Sequence, residues 1–283
     1  MPDSAIQEIV CCFGNPMAGN PTQFVMQRAL ADLRLDWRCL TLEVAAEDLE
    51  DAVRGIRAFG FKGASLDLPH KVAVVPYLDR LTEFAEKVGA VNCICRVDYQ
   101  LVGENTDGPA FLQSLKNVVG KIDQQRILML GAGGTARSIA VELAEAGVGE
   151  IRIADGSAEQ AQALVERIHE HVPVSTQVIS SDAPLEIDED IDILINATSI
   201  GHLDPDAEIP IKTDTIQPSL LVADVVINPP STWLLREAAA RGCTTFNGLD
   251  MFVNQAILNF KLWSGHDPNP AVMREAVEEF LEV

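Results

Sequence analysis

Basic residues are scarce in this chain of 283: Lys and Arg total 21 against 42 Asp and Glu, a formal net charge of −21. Such a surface repels nucleic acid and anionic lipid at long range, so neither is an expected partner. A small anion remains an acceptable ligand, because a few backbone N–H groups and one lysine reverse the potential locally. Long apolar runs are missing too: none approaches the roughly 18–20 residues that span a bilayer, and no membrane partner is expected. The opening Met1-Pro2-Asp3-Ser4 carries no basic region ahead of an apolar stretch, so no secretory signal is read and a cytoplasmic location is expected. Cys-x-x-Cys pairs are absent, and no His stands at zinc-finger spacing from a Cys. Cys11, Cys12, Cys39, Cys93, Cys95 and Cys243 therefore read as reduced, mostly buried thiols, and no catalytic metal is expected.

What is present is apolar material in quantity, 47% of the chain, which excludes disorder as the main state. The first third alternates strand-like and helix-like patterns. Strands are expected at 8–13, 37–42 and 63–68, helices at 22–33 and 46–59, and a hairpin from 91–97 and 101–104 around a turn at 98–100. A second series follows a helix at 109–118. It has strands at 126–130, 150–154, 191–196, 220–227 and 244–246, and helices at 136–146, 158–170 and 233–240. Two further helices, 251–263 and 271–281, close the chain. This alternation defines an α/β class. The acidic run Asp182, Glu186, Asp188, Glu189, Asp190 and Asp192 lacks fixed ligand spacing, so it reads as a solvated loop rather than a divalent-cation site.

The strongest single motif is Leu130-Gly131-Ala132-Gly133-Gly134-Thr135-Ala136-Arg137, which follows an apolar strand and opens a helix. Gly131 permits the tight turn, Gly133 lets the backbone approach a pyrophosphate, and Ala136 is the small residue where helix and strand pack closely. The helix N-terminus then offers N–H groups to the phosphates. The next strand ends Ile153-Ala154-Asp155, about 24 residues after Gly131. An acid there is placed to accept from ribose hydroxyls and to repel a 2′-phosphate, so the expected cofactor is NAD in preference to NADP.

Three clusters precede this half: Ser65-Leu66-Asp67-Leu68-Pro69-His70-Lys71, Gly89-Ala90-Val91-Asn92 and Gly103-Glu104-Asn105-Thr106-Asp107-Gly108. Each sits at a strand end or turn, where rigid elements aim side chains. Alcohol–ketone chemistry needs a group that takes or gives the hydroxyl proton, and a Lys beside an Asp serves.

At this point the chain resembles the shikimate/quinate dehydrogenase family, almost end to end. The resemblance runs through Phe13-Gly14-Asn15-Pro16, Leu68-Pro69-His70-Lys71, Gly89-Ala90-Val91-Asn92, Asn105-Thr106-Asp107-Gly108 and Gly131-Ala132-Gly133-Gly134. It continues through Ile195-Asn196-Ala197-Thr198, Asp224-Val225-Val226 and Gly248-Leu249-Asp250-Met251 with Gln255. It implies a substrate domain at 1–106, a Rossmann-type doubly wound nucleotide domain at 107–247, and C-terminal helices at 248–283 that return to the substrate domain, with an active site in the cleft. It makes Lys71 and Asp107 the catalytic pair and places Asn92 and Gln255 on ring hydroxyls. Asn196, Ala197, Thr198, Val225, Gly248 and Met251 fall where the family lines the cofactor, beside Gly131, Ala132, Gly133, Gly134, Thr135 and Asp155. Monomers and homodimers both occur in the family.

Departures from the family pattern are as informative. The usual Ser-x-Ser that grips a substrate carboxylate is absent from Met17-Ala18-Gly19-Asn20-Pro21-Thr22, which leaves Asn20 and Thr22 as the polar side chains there. The usual Asn-x-Thr before the Pro-x-Lys reads Ser65-Leu66-Asp67, and the Tyr common three residues after the later strand's Asp reads Ile227. The expected activity is therefore hydride transfer on a cyclic polyol that need not be shikimate. The alternatives are a true shikimate or quinate dehydrogenase and, in another class, a non-catalytic NAD-sensing module.

Overall fold

The computed structural model describes residues 7–179 and 184–283, so Asp182 of the acidic run lies outside the described residues. The chain forms two compact units, one of residues up to Thr106 together with Val253–Val283, the other Asp107–Phe252.

The first unit is built on six strands: β1 (Glu8–Gly14), β2 (Trp37–Glu43), β3 (Gly63–Leu66), β4 (Arg80–Leu81), β5 (Cys93–Val97) and β6 (Gln100–Glu104). Their order is β2-β1-β3-β5-β6-β4. β1 runs parallel to β2 and β3, whereas β3–β5 and β5–β6 are antiparallel. Val10 to Phe13 of β1 are all buried, as befits a central strand covered on both faces. The helices are α1 (Thr22–Asp32), α2 (Leu49–Phe59), α3 (His70–Ala73) and α4 (Glu83–Val88). Leu49, Val53 and Ile56 of α2, at i, i+4 and i+7, enter a core with Phe13, Leu66, Val91 and Ile94. Gly60, at φ 72°, ends that helix in the left-handed conformation, a common helix stop.

The second unit opens with α5 (Asp107–Val119), so Asp107 is a helical residue. There follow β7 (Arg126–Leu130), α6 (Gly134–Glu145), β8 (Glu150–Ala154), α7 (Ala158–His171), β9 (Ser175–Ile179), β10 (Ile193–Asn196), β11 (Leu221–Asp224), α8 (Trp233–Ala240) and β12 (Thr244–Phe246). The sheet order is β12-β11-β10-β7-β8-β9, parallel throughout. In chain order from the other edge this is third, second, first, fourth, fifth, sixth, the doubly wound nucleotide-binding arrangement. The order reverses at β7, and ligands of such sheets bind beyond the strand C-termini at that point.

α9 (Gly248–Ser264) and α10 (Pro270–Leu281) complete the chain. The division between units falls inside α9. Its later turns and α10 belong to the first unit, where Phe280 packs on Phe24 of α1 with ring centroids 5.8 Å apart. Trp263 Nε1 donates to Ile94 O at 3.0 Å. Gly63 leaves the room for that indole, since a Cβ there would collide with both Ile94 O and the Trp263 ring. Gly63→Ala is expected to destabilise the protein by about 2–4 kcal/mol, overpacking plus a displaced hydrogen bond. A lowered urea midpoint with an unchanged slope is the readout.

The described part of the acidic run is the exposed loop expected of it, and its carboxylates are paired with neighbouring cations. Arg152, largely buried in β8, binds Glu150, Asp188 and Asp190, and Arg126 binds Asp190 at 2.8 Å. Asp192 Oδ2 accepts from Arg126 N at 2.7 Å, and Glu186 pairs with Lys212. The carboxylates are thereby tied to the starts of β7 and β8.

Candidate active site

The nucleotide loop is shaped by two contacts. Gly131 has φ 105°, a region L side chains avoid, and a Cβ would stand 2.8 Å from Ala197 O. Beyond it Gly133 has no heavy atom within 4 Å of where a Cβ would stand. Gly133 also caps α6 without a side-chain hydrogen bond. An approachable backbone and an uncapped helix N-terminus suit a pyrophosphate, so the residues present fit a dinucleotide.

Asp155 does different work from that expected. Its Oδ2 accepts from Ala132 N and its Oδ1 from Ser157 N, each at 2.8 Å. Both oxygens of the carboxylate brace the backbone, tying the turn after β7 to the turn after β8.

Thr135 Oγ1 donates to Asp107 Oδ2 at 3.3 Å, so the loop and an expected catalytic residue meet within one unit. Asp107 is 2% exposed, and Ser138 Oγ accepts from the following Gly108 N at 2.7 Å.

The C-terminal ends of β10 and β11 are joined by buried polar groups. Asn196 Nδ2 donates to Asp224 Oδ1 at 3.0 Å, and Asn196 Oδ1 accepts from Thr198 N and Oγ1 at 3.1 and 2.6 Å. Val225 N donates to Asn196 O at 3.0 Å. Ala197 and Met251 are buried, Thr198 and Val225 half-buried, and Gly248 opens α9 beside the carbonyls of Val225 and Val226.

Asp224, unremarked as a functional group in the sequence, is the hub. It accepts from Asn196, Val226 N and Thr232 Oγ1. Burial nonetheless pushes its carboxyl up from 3.8 to about 6, against those hydrogen bonds, which favour the charged form. A folded-state pKa above the unfolded value gives stability that is complete below about pH 4 and is lost as pH rises through 6. Asp224→Asn keeps the shape and removes the titration. Relative to wild type it is expected to gain up to about 3 kcal/mol between pH 4 and pH 8. Urea midpoints at the two pH values test this, and parallel profiles would refute it.

In the first unit the loop after β1 meets the loop after β3. Asn20 Nδ2 donates to Asp67 Oδ2 at 2.7 Å, and Asn20 Oδ1 accepts from Thr22 N at 2.9 Å. Asp67 Oδ1 accepts from Leu68 N at 2.8 Å. Thr22 and Ser65 are buried and both hydrogen-bond Cys12, whose thiol is pushed up by burial and then by the Asp67 charge. Four residues singled out as polar substrate contacts thus form one patch, joined by a cysteine that sequence reasoning read only as a buried thiol.

Lys71 is half-buried in α3, and its carbonyl accepts from Val91 N at 2.7 Å, beside Asn92. Asn92 is fully buried. Its Nδ2 donates to Thr106 Oγ1 at 2.9 Å and its Oδ1 accepts from Thr106 N at 2.8 Å. Gln255 is half-buried on α9. Among the described residues no group of three or more His, Cys, Asp or Glu gathers to hold a metal, and no helix is long and apolar enough to cross a membrane.

Known proteins supply the comparison. Residues 12–94 match the shikimate dehydrogenase substrate binding domain, 113–205 the shikimate/quinate 5-dehydrogenase model, and 248–278 the shikimate 5′-dehydrogenase C-terminal domain. The chain is 40% identical over 271 residues to the shikimate dehydrogenase (NADP(+)) of Bacillus licheniformis, covering 95% of each. It is similar to the ligand-free 5-ketofructose reductase of Gluconobacter sp. strain CHM43 (39% identity, TM-score 0.87, 97% of this chain and 99% of that one). It is also similar to shikimate 5-dehydrogenase from Thermus thermophilus in complex with NADP(H) and shikimate (33% identity, TM-score 0.86, 97% and 100%).

A Rossmann-type unit with this loop, joined to an α/β substrate unit, defines an NAD(P)-dependent dehydrogenase that acts on CH–OH groups. The matches cover most of the chain in order. It belongs to the shikimate dehydrogenase family.

The expected preference for NAD is corrected by these relatives. Those of Bacillus licheniformis, Bacillus subtilis and Bacillus cereus are named for NADP(+). Spacing alone placed the Asp155 carboxylate at the ribose; in the structure its two oxygens accept from Ala132 N and Ser157 N, a bracing role that the same spacing serves without selecting NAD.

Proposed function

We propose that this dehydrogenase interconverts a secondary alcohol and a ketone on a small hydroxyl-rich substrate without a carboxylate, a cyclic polyol or a ketosugar, with NADP(H) as partner. The observation that carries the reading is Asp67, held by Asn20 where the family places hydroxyls for a substrate acid. A carboxylate there repels an anionic substituent and accepts from neutral hydroxyl or cationic groups. The 39% identical relative named for 5-ketofructose, a sugar without a carboxylate, supports it. The names of the curated relatives favour a second reading, the shikimate reaction itself.

In this proposal residues 1–106 with the C-terminal helices bind substrate, and 107–247 bind the dinucleotide. NADP(H), when bound, supplies or takes the hydride. Lys71 donates a hydrogen bond to the reacting oxygen, Asp107 orients that ammonium, and the pair passes the hydroxyl proton. Asn92 and Gln255 hold ring hydroxyls, while Asn20, Thr22, Ser65 and Asp67 meet the far substituent.

The test is kcat/KM with NADP+ across shikimate, quinate, carboxylate-free cyclitols and ketohexose-derived polyols. A neutral polyol is expected to lead by about 10²-fold, the low end of losing two charge-assisted hydrogen bonds. Turnover of shikimate at ~10⁴ M⁻¹s⁻¹ or more, the lower edge of ordinary enzyme efficiency, establishes the second reading instead.

A further inference from the structure

We infer that Asp224 is a positioning residue for the dinucleotide: its carboxylate ties the exits of β10 and β11 and the start of α8 into one frame that supports the nucleotide loop. The inference rests on the proposed role of Asn196, Ala197, Thr198 and Val225 as the lining of the cofactor.

Asp224 is fully buried at the C-terminal end of β11, two strands from β7, where the sheet order reverses. Its Oδ1 accepts from Asn196 Nδ2 at 3.0 Å and from Val226 N at 2.9 Å, and its Oδ2 accepts from Thr232 Oγ1 at 2.7 Å. Thr232 in turn caps α8, accepting from Leu235 N. Asn196 uses the rest of its amide on the turn that follows it. Its Nδ2 also donates to Ile200 O at 3.2 Å, and its Oδ1 accepts from Thr198 N and Oγ1. That turn presses on the nucleotide loop, since a Cβ on Gly131 would stand 2.8 Å from Ala197 O and 3.2 Å from Thr198 Cγ2. One carboxylate thus reaches the nucleotide loop through Asn196 and fixes the Val225-Val226 turn beside it.

The donors that converge on Asp224 are neutral, and among the described residues no cation joins them. A buried charge without a counter-ion destabilises a fold, so stability does not account for a carboxylate here. The strength and direction of its hydrogen bonds do, because bonds to a charged acceptor are roughly twice as strong as neutral ones. An asparagine in its place points its N–H2 group at Thr232, since the other oxygen faces two N–H donors, and offers Asn196 and Val226 only a neutral oxygen. Protonation does the same: the hydrogen goes on Oδ2, Thr232 Oγ1 becomes the acceptor, and the bonds to Asn196 and Val226 weaken. Burial sets the carboxyl at about 6. The groups facing it are Asn196 from β10, Val226 N beyond β11 and Thr232 before α8, and no charge on β10, β12 or α8 contributes to the shift. The frame is therefore tight above pH 6 and looser below it.

The test is the dissociation constant for NADP+, read by equilibrium titration of wild type and Asp224→Asn at pH 5 and pH 8, with thermal midpoints alongside. The ratio of the two constants cancels the titration of the cofactor's own phosphate. D224N is expected to bind NADP+ at least about fivefold more weakly than wild type at pH 8 and within about twofold of it at pH 5, with a midpoint at pH 8 that is unchanged or higher. A purely structural role gives the opposite pairing, because the more stable variant then binds at least as well. A ratio that is the same at both pH values, or equal binding at pH 8, overturns the inference. If D224N does not fold, Thr232→Val removes one donor from the same carboxylate. It is expected to move upward the pH at which NADP+ affinity falls, and an unmoved profile overturns the inference. Asn196→Ala separates the two levels. No effect of N196A on NADP+ binding overturns the lining assignment and this inference with it, whereas weaker binding by N196A with none for D224N overturns this inference alone.

Discussion

Lys71→Ala is expected to lower kcat by about 10²–10⁴-fold, the range for removing a general acid–base group. Asp107→Asn is expected to fall in the same range. The double variant should be little worse than the worse single one, because residues that act as a unit lose their function once. The two singles are distinguishable at the cofactor. Lys71 sits in the first unit, so its loss should leave KM for NADP+ unchanged. Asp107 accepts from Thr135 of the nucleotide loop at 3.3 Å, so replacing its carboxylate loosens that side chain and shifts KM for NADP+ by a few-fold. Steady-state kinetics with both substrates varied read all of these values. Full turnover by K71A removes the reason for assigning the pair.

The second large effect concerns the far end of the substrate. Each hydrogen bond to a charged group is worth roughly 1.5–3 kcal/mol, so a pocket that lacks two or three loses about 3–9 kcal/mol toward an acid such as shikimate. Asp67→Thr with Ile227→Tyr restores two hydroxyl donors and removes a negative charge. The double variant is expected to raise kcat/KM for shikimate by about 10²-fold and to lower it for the preferred neutral polyol. The same ratio of specificities before and after the exchange would show that these positions do not choose the substrate.

What was legible in the sequence was local. The glycines of the nucleotide loop announce themselves because one strand, one turn and one helix contain the whole device, and Gly131 takes the positive φ such a turn demands. The alternation of elements gave both sheets for the same reason, except where apolar signal was weak. β9, Ser-Thr-Gln-Val-Ile, is a polar edge strand, and β4 is two residues long, so neither was expected. Asp155 was legible as an acid at the right spacing, but not as a brace, because its partner Ala132 N lies 23 residues away in the chain. The acidic run was legible as an exposed loop but its ion pairs were not, because Arg152 and Arg126 reach it only through the sheet. Asp224 gave no signal as a hub: it acquires that meaning only through Asn196, 28 residues earlier on the neighbouring strand.

The passage of α9 from one unit to the other bears on how the chain is made. During synthesis the strands of the first unit leave the ribosome long before the segment that finishes its core. The bond from Trp263 to Ile94 O closes a span of 169 residues. The second unit, continuous from Asp107 to Phe252, is complete while the first still awaits its last helices. Domains mature as units and in order of emergence, and contacts of high sequence separation form late. The nascent chain is thus expected to acquire its dinucleotide fold first, holding β5 and Gly63 open to chaperones until the Trp263 indole arrives. Emergence of α9 and α10, rather than exposure of the N-terminal strands, then becomes the event that completes the first unit.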